Sequence, residues 1–167
     1  MKKLALCGFM GCGKTTVASA LSKNHGLSHI DTDKFIEEKE NITITEMFKN
    51  HSEAYFREKE SEVIKTLSQK DSYVLSLGGG AVMFDKNVKA LKENGYTIVF
   101  IDTDLSILKE RLLNDTQRPL LNTNDIDDLY NKRLSTYQSI CDIKVTVKNE
   151  SGEQIADMIM QELKKKA

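Results

Sequence analysis

Gly8-Phe9-Met10-Gly11-Cys12-Gly13-Lys14-Thr15-Thr16 is the stretch on which the reading of this 167-residue chain turns. It satisfies the spacing G-x-x-x-x-G-K-[ST], and its flanks suit the same reading. The apolar run Leu4-Ala5-Leu6-Cys7 before it reads as a buried strand. After it, Val17, Ala18, Leu21 and Ser22 recur at helical spacing. Strand, glycine loop and helix are the context that a phosphate-binding loop requires. The residue types follow from the charge to be held. Glycines at 8, 11 and 13 let backbone N–H groups turn inward and approach phosphate oxygens closely, and the helix adds the partial positive charge of its N-terminus. Lys14 brings a full charge toward the outer phosphates, and the Thr15 hydroxyl is placed to ligate Mg²⁺.

Outward from that loop, strand-like runs alternate with helical stretches. The apolar runs 27–30, 74–77, 97–101 and 143–147 join the first as strands. Gly26 and Gly95 stand where helices end in a left-handed residue. Asp85 and Asp104 are expected N-caps, and Ser151 with Gln154 reads as a capping box. Alternation of this kind predicts an α/β fold: a three-layer α/β/α sandwich around a central five-stranded parallel sheet. Residues 1–167 form one domain on the length prior. The only proline, Pro119, lies in a polar stretch, 114–125, that reads as a long mobile loop.

Composition excludes several classes of function. With 24 basic and 25 acidic residues the net charge is −1, so neither a nucleic-acid surface nor a polybasic membrane patch is expected. Met1-Lys2-Lys3 and the apolar residues after it only imitate a signal peptide, because the run breaks at once into the glycine loop. No segment approaches the roughly 18 apolar residues of a membrane span, and a cytoplasmic location is expected. Cys7 and Cys141 sit in strand-like runs and read as small core residues, whereas Cys12 reads as a filler of the loop or as an oxidisable thiol. His25, His29 and His51 show no metal-type grouping and receive no role.

In a parallel sheet, ligands sit beyond the C-terminal ends of the strands. Three signals gather there: the loop 8–15, the triplet Asp31-Thr32-Asp33, and Gly78-Gly79-Gly80. Asp31 and Asp33 suit a helix cap, but beside a phosphate loop they equally suit a carboxylate near an acceptor hydroxyl and another near a metal. Arg57 lies among Glu53, Glu58, Glu60 and Glu62 and by itself reads as a solvated ion-pair residue. A triple glycine is entropically unfavourable and fits a backbone that must approach a ligand closely, a plain turn being the other reading. The strand before it lacks the terminal acid that many phosphate-loop proteins offer to Mg²⁺, which makes Asp31 the candidate.

The loop 8–16, Asp31-Thr32-Asp33, Phe56-Arg57, Leu75-Ser76-Leu77-Gly78-Gly79-Gly80-Ala81-Val82, Arg118-Pro119-Leu120-Leu121, and Arg133 with Tyr137 together resemble the shikimate kinase family. They run in order across nearly the whole chain. The resemblance implies a fold of the nucleoside-monophosphate-kinase-like phosphate-loop type, with substrate-binding helices over 34–62 and a mobile lid over 114–125. It implies ATP-dependent phosphorylation of the 3-hydroxyl of shikimate to shikimate 3-phosphate, in the biosynthesis of chorismate and aromatic amino acids. Mg²⁺ would be the cofactor, shikimate and ATP the small-molecule partners, and the unit a monomer.

Residue by residue, the resemblance makes Asp33 the group that binds the shikimate hydroxyls and accepts the proton, with Lys14 and Arg118 as its catalytic companions. Arg57 and Arg133 hold the shikimate carboxylate, and Gly79, flanked by Gly78 and Gly80, offers backbone N–H to the substrate. Gly11, Cys12, Gly13, Lys14, Thr15 and Thr16 bind ATP, Arg118 reaches its phosphates from the lid, and Arg111 stacks near adenine. Thr15 and Asp31 serve the metal. Lys148-Asn149-Glu150, after the last strand, is expected to cover the adenine although it lacks an arginine. The alternatives are another small-molecule kinase, of gluconate or nucleotide type, and a nucleotide-dependent switch or binding module. The nucleotide type usually carries Asp-Gly-x-Pro-Arg where this chain has its triple glycine.

Overall fold

The structure, a computed structural model, describes residues 2–70, 73–114 and 123–166. In chain order the elements are β1 (Leu4–Cys7), α1 (Lys14–His25), β2 (Ser28–Asp31), α2 (Thr32–Glu40), α3 (Ile44–Asn50), α4 (Glu53–Ser68), β3 (Tyr73–Ser76), a 3-10 turn (Ala81–Met83), α5 (Asp85–Glu93), β4 (Thr97–Thr103), α6 (Leu105–Leu113), α7 (Thr123–Ile140), β5 (Ile143–Val147) and α8 (Gly152–Lys166). All strand pairs are parallel, in the order β2-β3-β1-β4-β5. Right-handed crossovers put α1 and α8, which pack on each other, on one face, and the helices of the intervening connections on the other.

Burial follows position in the sheet. Every residue of the central strand β1 is buried, whereas the edge strand β5 alternates buried and exposed residues, as an edge covered mainly on one face does. Leu4, Leu6, Leu75, Ile98 and Val99 of the inner strands meet Val17, Leu21, Ile64 and Ile159 of the flanking helices in one core.

The five expected strands are present, with β2 and β3 shifted by one residue and β4 extended to Thr103. Gly26 and Gly95 are left-handed, at φ 69° and 82°, and Asp104 and the Ser151–Gln154 box cap as expected. Asp85 does not cap α5: Phe84 holds that position, and Asp85 is the first helical residue, where its charge still favours the helix N-terminus. Cys141 is not in a strand; it lies half-buried between α7 and β5. Residues 123–125 belong to α7 rather than to the expected loop. The remainder of that loop, 115–122, with Arg118, lies outside the described residues. Among the described residues no helix is long and apolar enough to cross a membrane.

Candidate active site

Strand register assembles the site. Leu6 of β1 pairs with Ser76 of β3, and Ser76 pairs with Asp31 of β2. The three loops that leave these strands, beginning near Gly8, Asp31 and Gly78, therefore stand side by side along one rim of the sheet. Thr32, fully buried, donates from its hydroxyl to the Ser76 carbonyl at 3.2 Å and ties the start of α2 to the end of β3.

The phosphate loop is closed by its own bonds. Cys12 N–H donates to the Phe9 carbonyl at 3.1 Å, and Gly13, at φ 92°, takes the cap position of α1 that a side chain would strain. Lys14 Nζ donates to the Gly8 carbonyl at 2.7 Å and lies 3.7 Å from Cys12 Sγ. Cys12 is 1% exposed, which suits the filler reading and leaves the thiol shielded from solvent oxidants. Arg111, expected beside adenine, donates from Nη1 to the Gly11 carbonyl at 2.8 Å and so braces the loop from α6.

Two cavities meet at this loop. A cavity of about 280 Å³ is lined by Gly11, Cys12, Gly13, Thr16, Arg111 and Glu150, among others. A larger one, of about 760 Å³, is lined by Lys14, Thr15, Asp33, Arg57, the three glycines and Arg133, with Ile44, Phe48 and Phe56 as an apolar wall. Gly11 and Gly13 border both. Lys14, Asp33 and Arg57 thus share one chamber.

Asp31 caps α2 and reaches the phosphate loop at once. Oδ1 accepts from Lys34 N–H at 3.2 Å, capping α2, and Oδ2 accepts from the Thr15 hydroxyl at 3.0 Å. These are hard oxygen ligands of the type that Mg²⁺ takes, and among the described residues no cluster of three His, Cys, Asp or Glu forms a cage. Asp33 lies in the first turn of α2, and among the described residues its buried Oδ1 has no hydrogen-bond partner. Burial first, and the neighbouring Asp31 second, hold its carboxyl above the usual range, against the pull of Lys14 and Arg57.

The triple glycine forms a turn, closed by the Ala81 N–H on the Gly78 carbonyl at 3.1 Å, but crowding rather than backbone conformation is what calls for glycine there. None of the three glycines has a positive φ. A Cβ on Gly78 would lie 2.8 Å from Asp33 Oδ1 and 3.0 Å from Glu60 Oε2; on Gly79, 2.9 Å from Arg133 Nη1; on Gly80, 2.5 Å from Arg57 Nη2. Each glycine makes room for a different charged side chain. What these glycines approach in the structure is the protein's own side chains.

Arg57 is not the solvated residue that its neighbours in sequence imply. Its guanidinium lies over the rings of Phe56 and Phe84, at 5.1 and 5.6 Å, and bonds Glu60 Oε1 at 2.8 Å. Glu60 is fully buried, and burial raises its carboxyl although Arg57 opposes the shift. Sequence reasoning missed Glu60 as a site residue. The signal was present: Phe56, Glu60, Val63, Ile64 and Leu67 form one buried helical stripe, and a carboxylate in such a stripe needs a partner. Tyr137, quoted for the resemblance without a role, is also buried, and its hydroxyl donates to the Gly79 carbonyl. Beyond the last strand, Glu150 accepts from the N–H groups of Lys148 and Asn149 at 2.7 and 3.1 Å. The carboxylate thereby orders the loop at the edge of the smaller cavity.

Comparison with known proteins agrees with this geometry. The family model described as shikimate kinase matches residues 10–164. A shikimate kinase of Bacillus anthracis is 40% identical over 168 aligned residues, covering 99% of this chain and 98% of the relative. Among solved structures, a shikimate kinase from Acinetobacter baumannii in complex with shikimate superposes with a TM-score of 0.92 at 29% identity, covering 99% of this chain and 94% of the other. The shikimate kinase from Aquifex aeolicus gives 0.86 at 35% identity, covering 97% and 96%.

Proposed function

The chain belongs to the shikimate kinase family, and from that premise we propose how its residues share the work. The enzyme transfers the γ-phosphoryl group of ATP to the 3-hydroxyl of shikimate, giving shikimate 3-phosphate and ADP, in the biosynthesis of chorismate and aromatic amino acids. The observation that carries the division of roles is the loop 8–16 standing between two cavities, with Gly11 and Gly13 bordering both. The base occupies the smaller cavity near Arg111 and Glu150, with Thr16 at its phosphate side. The phosphates lie on the amides of Gly11, Cys12, Gly13, Lys14 and Thr15. The acceptor fills the larger cavity.

In that chamber Arg57 and Arg133 pair with the carboxylate, which guanidinium groups grip through two parallel bonds. Glu60 holds Arg57 in place, the amides of Gly78, Gly79 and Gly80 line the acceptor's side, and Ile44, Phe48 and Phe56 cover its apolar ring face. Asp33 receives the 3-hydroxyl: its partnerless Oδ1 is the acceptor for that proton as the oxygen attacks. Lys14 leaves the Gly8 carbonyl for the transferring group, and Arg118, from the lid, joins it in neutralising charge. Thr15 and Asp31 would hold Mg²⁺, which when bound supplies positive charge to the β- and γ-phosphoryl oxygens.

Helices over 34–62 serve the acceptor, and the connection between α6 and α7 serves as lid, excluding water that would compete as acceptor. The reading includes a monomer acting in the cytoplasm without nucleic acid or membrane. A coupled assay of ADP release tests the reading. Release is expected to require added shikimate; release that ignores shikimate, or depends on a protein partner, overturns it.

A further inference from the structure

The two arginines of the large cavity are fixed by different means. Arg57 bonds the buried Glu60 at 2.8 Å and has Glu53 at 3.7 Å. Among the described residues Arg133 forms no ion pair. Its guanidinium lies over the ring of Phe9 instead, 6.0 Å from the centroid.

Phe9 comes to that place from the phosphate loop, where it fills one of the open positions of G-x-x-x-x-G-K-[ST]. Nothing in the gripping of phosphate calls for an aromatic residue there. Its backbone serves the loop: the carbonyl accepts from Cys12 N–H at 3.1 Å and from Lys14 Nζ at 3.4 Å. Its side chain serves α7. The ring is 2% exposed and meets Tyr130 in a T-shaped contact, 5.5 Å between centroids and 80° between planes, an arrangement that aromatic pairs favour. Tyr130 and Arg133 stand three residues apart and so share a face of α7. One turn of that helix both fixes the Phe9 ring and lays a cation over it.

A ring suits this place better than a carboxylate would. A neighbouring Asp or Glu would hold Arg133, but it would also neutralise the guanidinium and take up the N–H donors that grip an acceptor carboxylate in pairs. A ring face attracts the cation through its quadrupole and uses neither the charge nor a donor. The acceptor site thereby carries one arginine already bonded to a carboxylate and one that, among the described residues, has none.

We propose that Phe9 is a positioning residue for the acceptor: its ring holds the Arg133 guanidinium at the large cavity and leaves the positive charge for the carboxylate of shikimate. The proposal rests on the assignment of that carboxylate to Arg57 and Arg133. It separates the electrons of the ring from its bulk, because fluorine withdraws negative charge from the ring face while nearly keeping the shape.

The test replaces Phe9 with phenylalanines carrying one, three and five fluorine atoms and follows steady-state kinetics. The shikimate KM is expected to climb with each step, reaching about two- to five-fold above wild type at the last, with kcat and the ATP KM unchanged. In an Arg133→Ala background the climb is expected to vanish, since Phe9 acts through the arginine. A shikimate KM indifferent to fluorine overturns the proposal. So does the same climb without the guanidinium, or an equal rise in the ATP KM, which is what a role confined to packing the phosphate loop would produce. The parent assignment fails on separate evidence: if Arg133→Ala with Phe9 intact keeps the wild-type shikimate KM, the carboxylate is held elsewhere and the proposal falls with it.

Discussion

Asp33 shows how a single residue trades stability for chemistry. Its carboxyl is raised by burial and by Asp31, so the folded chain binds that proton more tightly than the unfolded chain does. Stability then falls as pH rises from the ordinary aspartate range through the raised value. Asp33→Asn removes the penalty and the proton acceptor together. The variant is expected to melt above wild type at pH 7, to lose that advantage below the ordinary aspartate range, and to lose at least about 100-fold in kcat with its ATP KM retained. In wild type the acid limb of kcat/KM should lie above the range of an unperturbed aspartate. Near-normal turnover in the variant removes Asp33 from its role; a lower Tm at neutral pH contradicts the sign of the shift.

At the scale of elements, the segment between β3 and the 3-10 turn is defined by what surrounds it. Three glycines in a row face four charged side chains, Asp33, Arg57, Glu60 and Arg133, delivered by α2, α4 and α7. Gly80→Ala is the sharpest probe, because its new methyl meets Arg57 Nη2 at 2.5 Å, too close to be absorbed without moving the guanidinium off Phe56 and Phe84. The expected result is a shikimate KM at least about ten-fold higher, the loss of roughly one charged hydrogen bond, with ATP KM unchanged. Calorimetric binding of shikimate equal to wild type would show that Arg57 retreats without consequence. The phosphate loop differs in kind. Gly13 at φ 92° is required by its own backbone, which is why that motif is legible without knowledge of its neighbours.

For the whole molecule, the parallel order β2-β3-β1-β4-β5 makes the site a property of the assembled fold. The large cavity draws on the loop after β1, on α1, β2, α2, α3 and α4, on β3 with the loop after it, and on α7, from Met10 to Arg133, so the unfolded chain offers no partial site. Ligands should therefore bind the native state alone. ATP at 100 times its Kd should add about 2.7 kcal/mol of stability, a rise in Tm of roughly 5–10 °C for a chain of this size. Shikimate should add a further increment of its own. Thermal melts with each ligand and with both measure this; a Tm that neither ligand moves would contradict a preassembled chamber.

Local features were readable in the sequence because their causes are local. The loop 8–16, Gly26, Gly95, Asp104 and the Ser151–Gln154 box each depend on backbone conformation or on bonds within a few residues, and each stands where the residue types imply. Asp85 missed its cap by one position for the same reason that β2 and β3 shifted by one: an element's end is decided by hydrogen bonds shared with neighbours, not by propensity. Family resemblance carried the assignment of Arg57, which its own helix disguises among four glutamates. Only the tertiary structure decided that Glu60 is buried as its partner, that Tyr137 grips Gly79, and that the glycines clear space for side chains from three helices. Apart from the Arg57–Glu60 pair, three residues apart on one helix, those facts join residues 18 to 58 positions apart, and distance through space between such residues is set by how helices pack on a sheet, about which the spacing of letters along the chain says nothing.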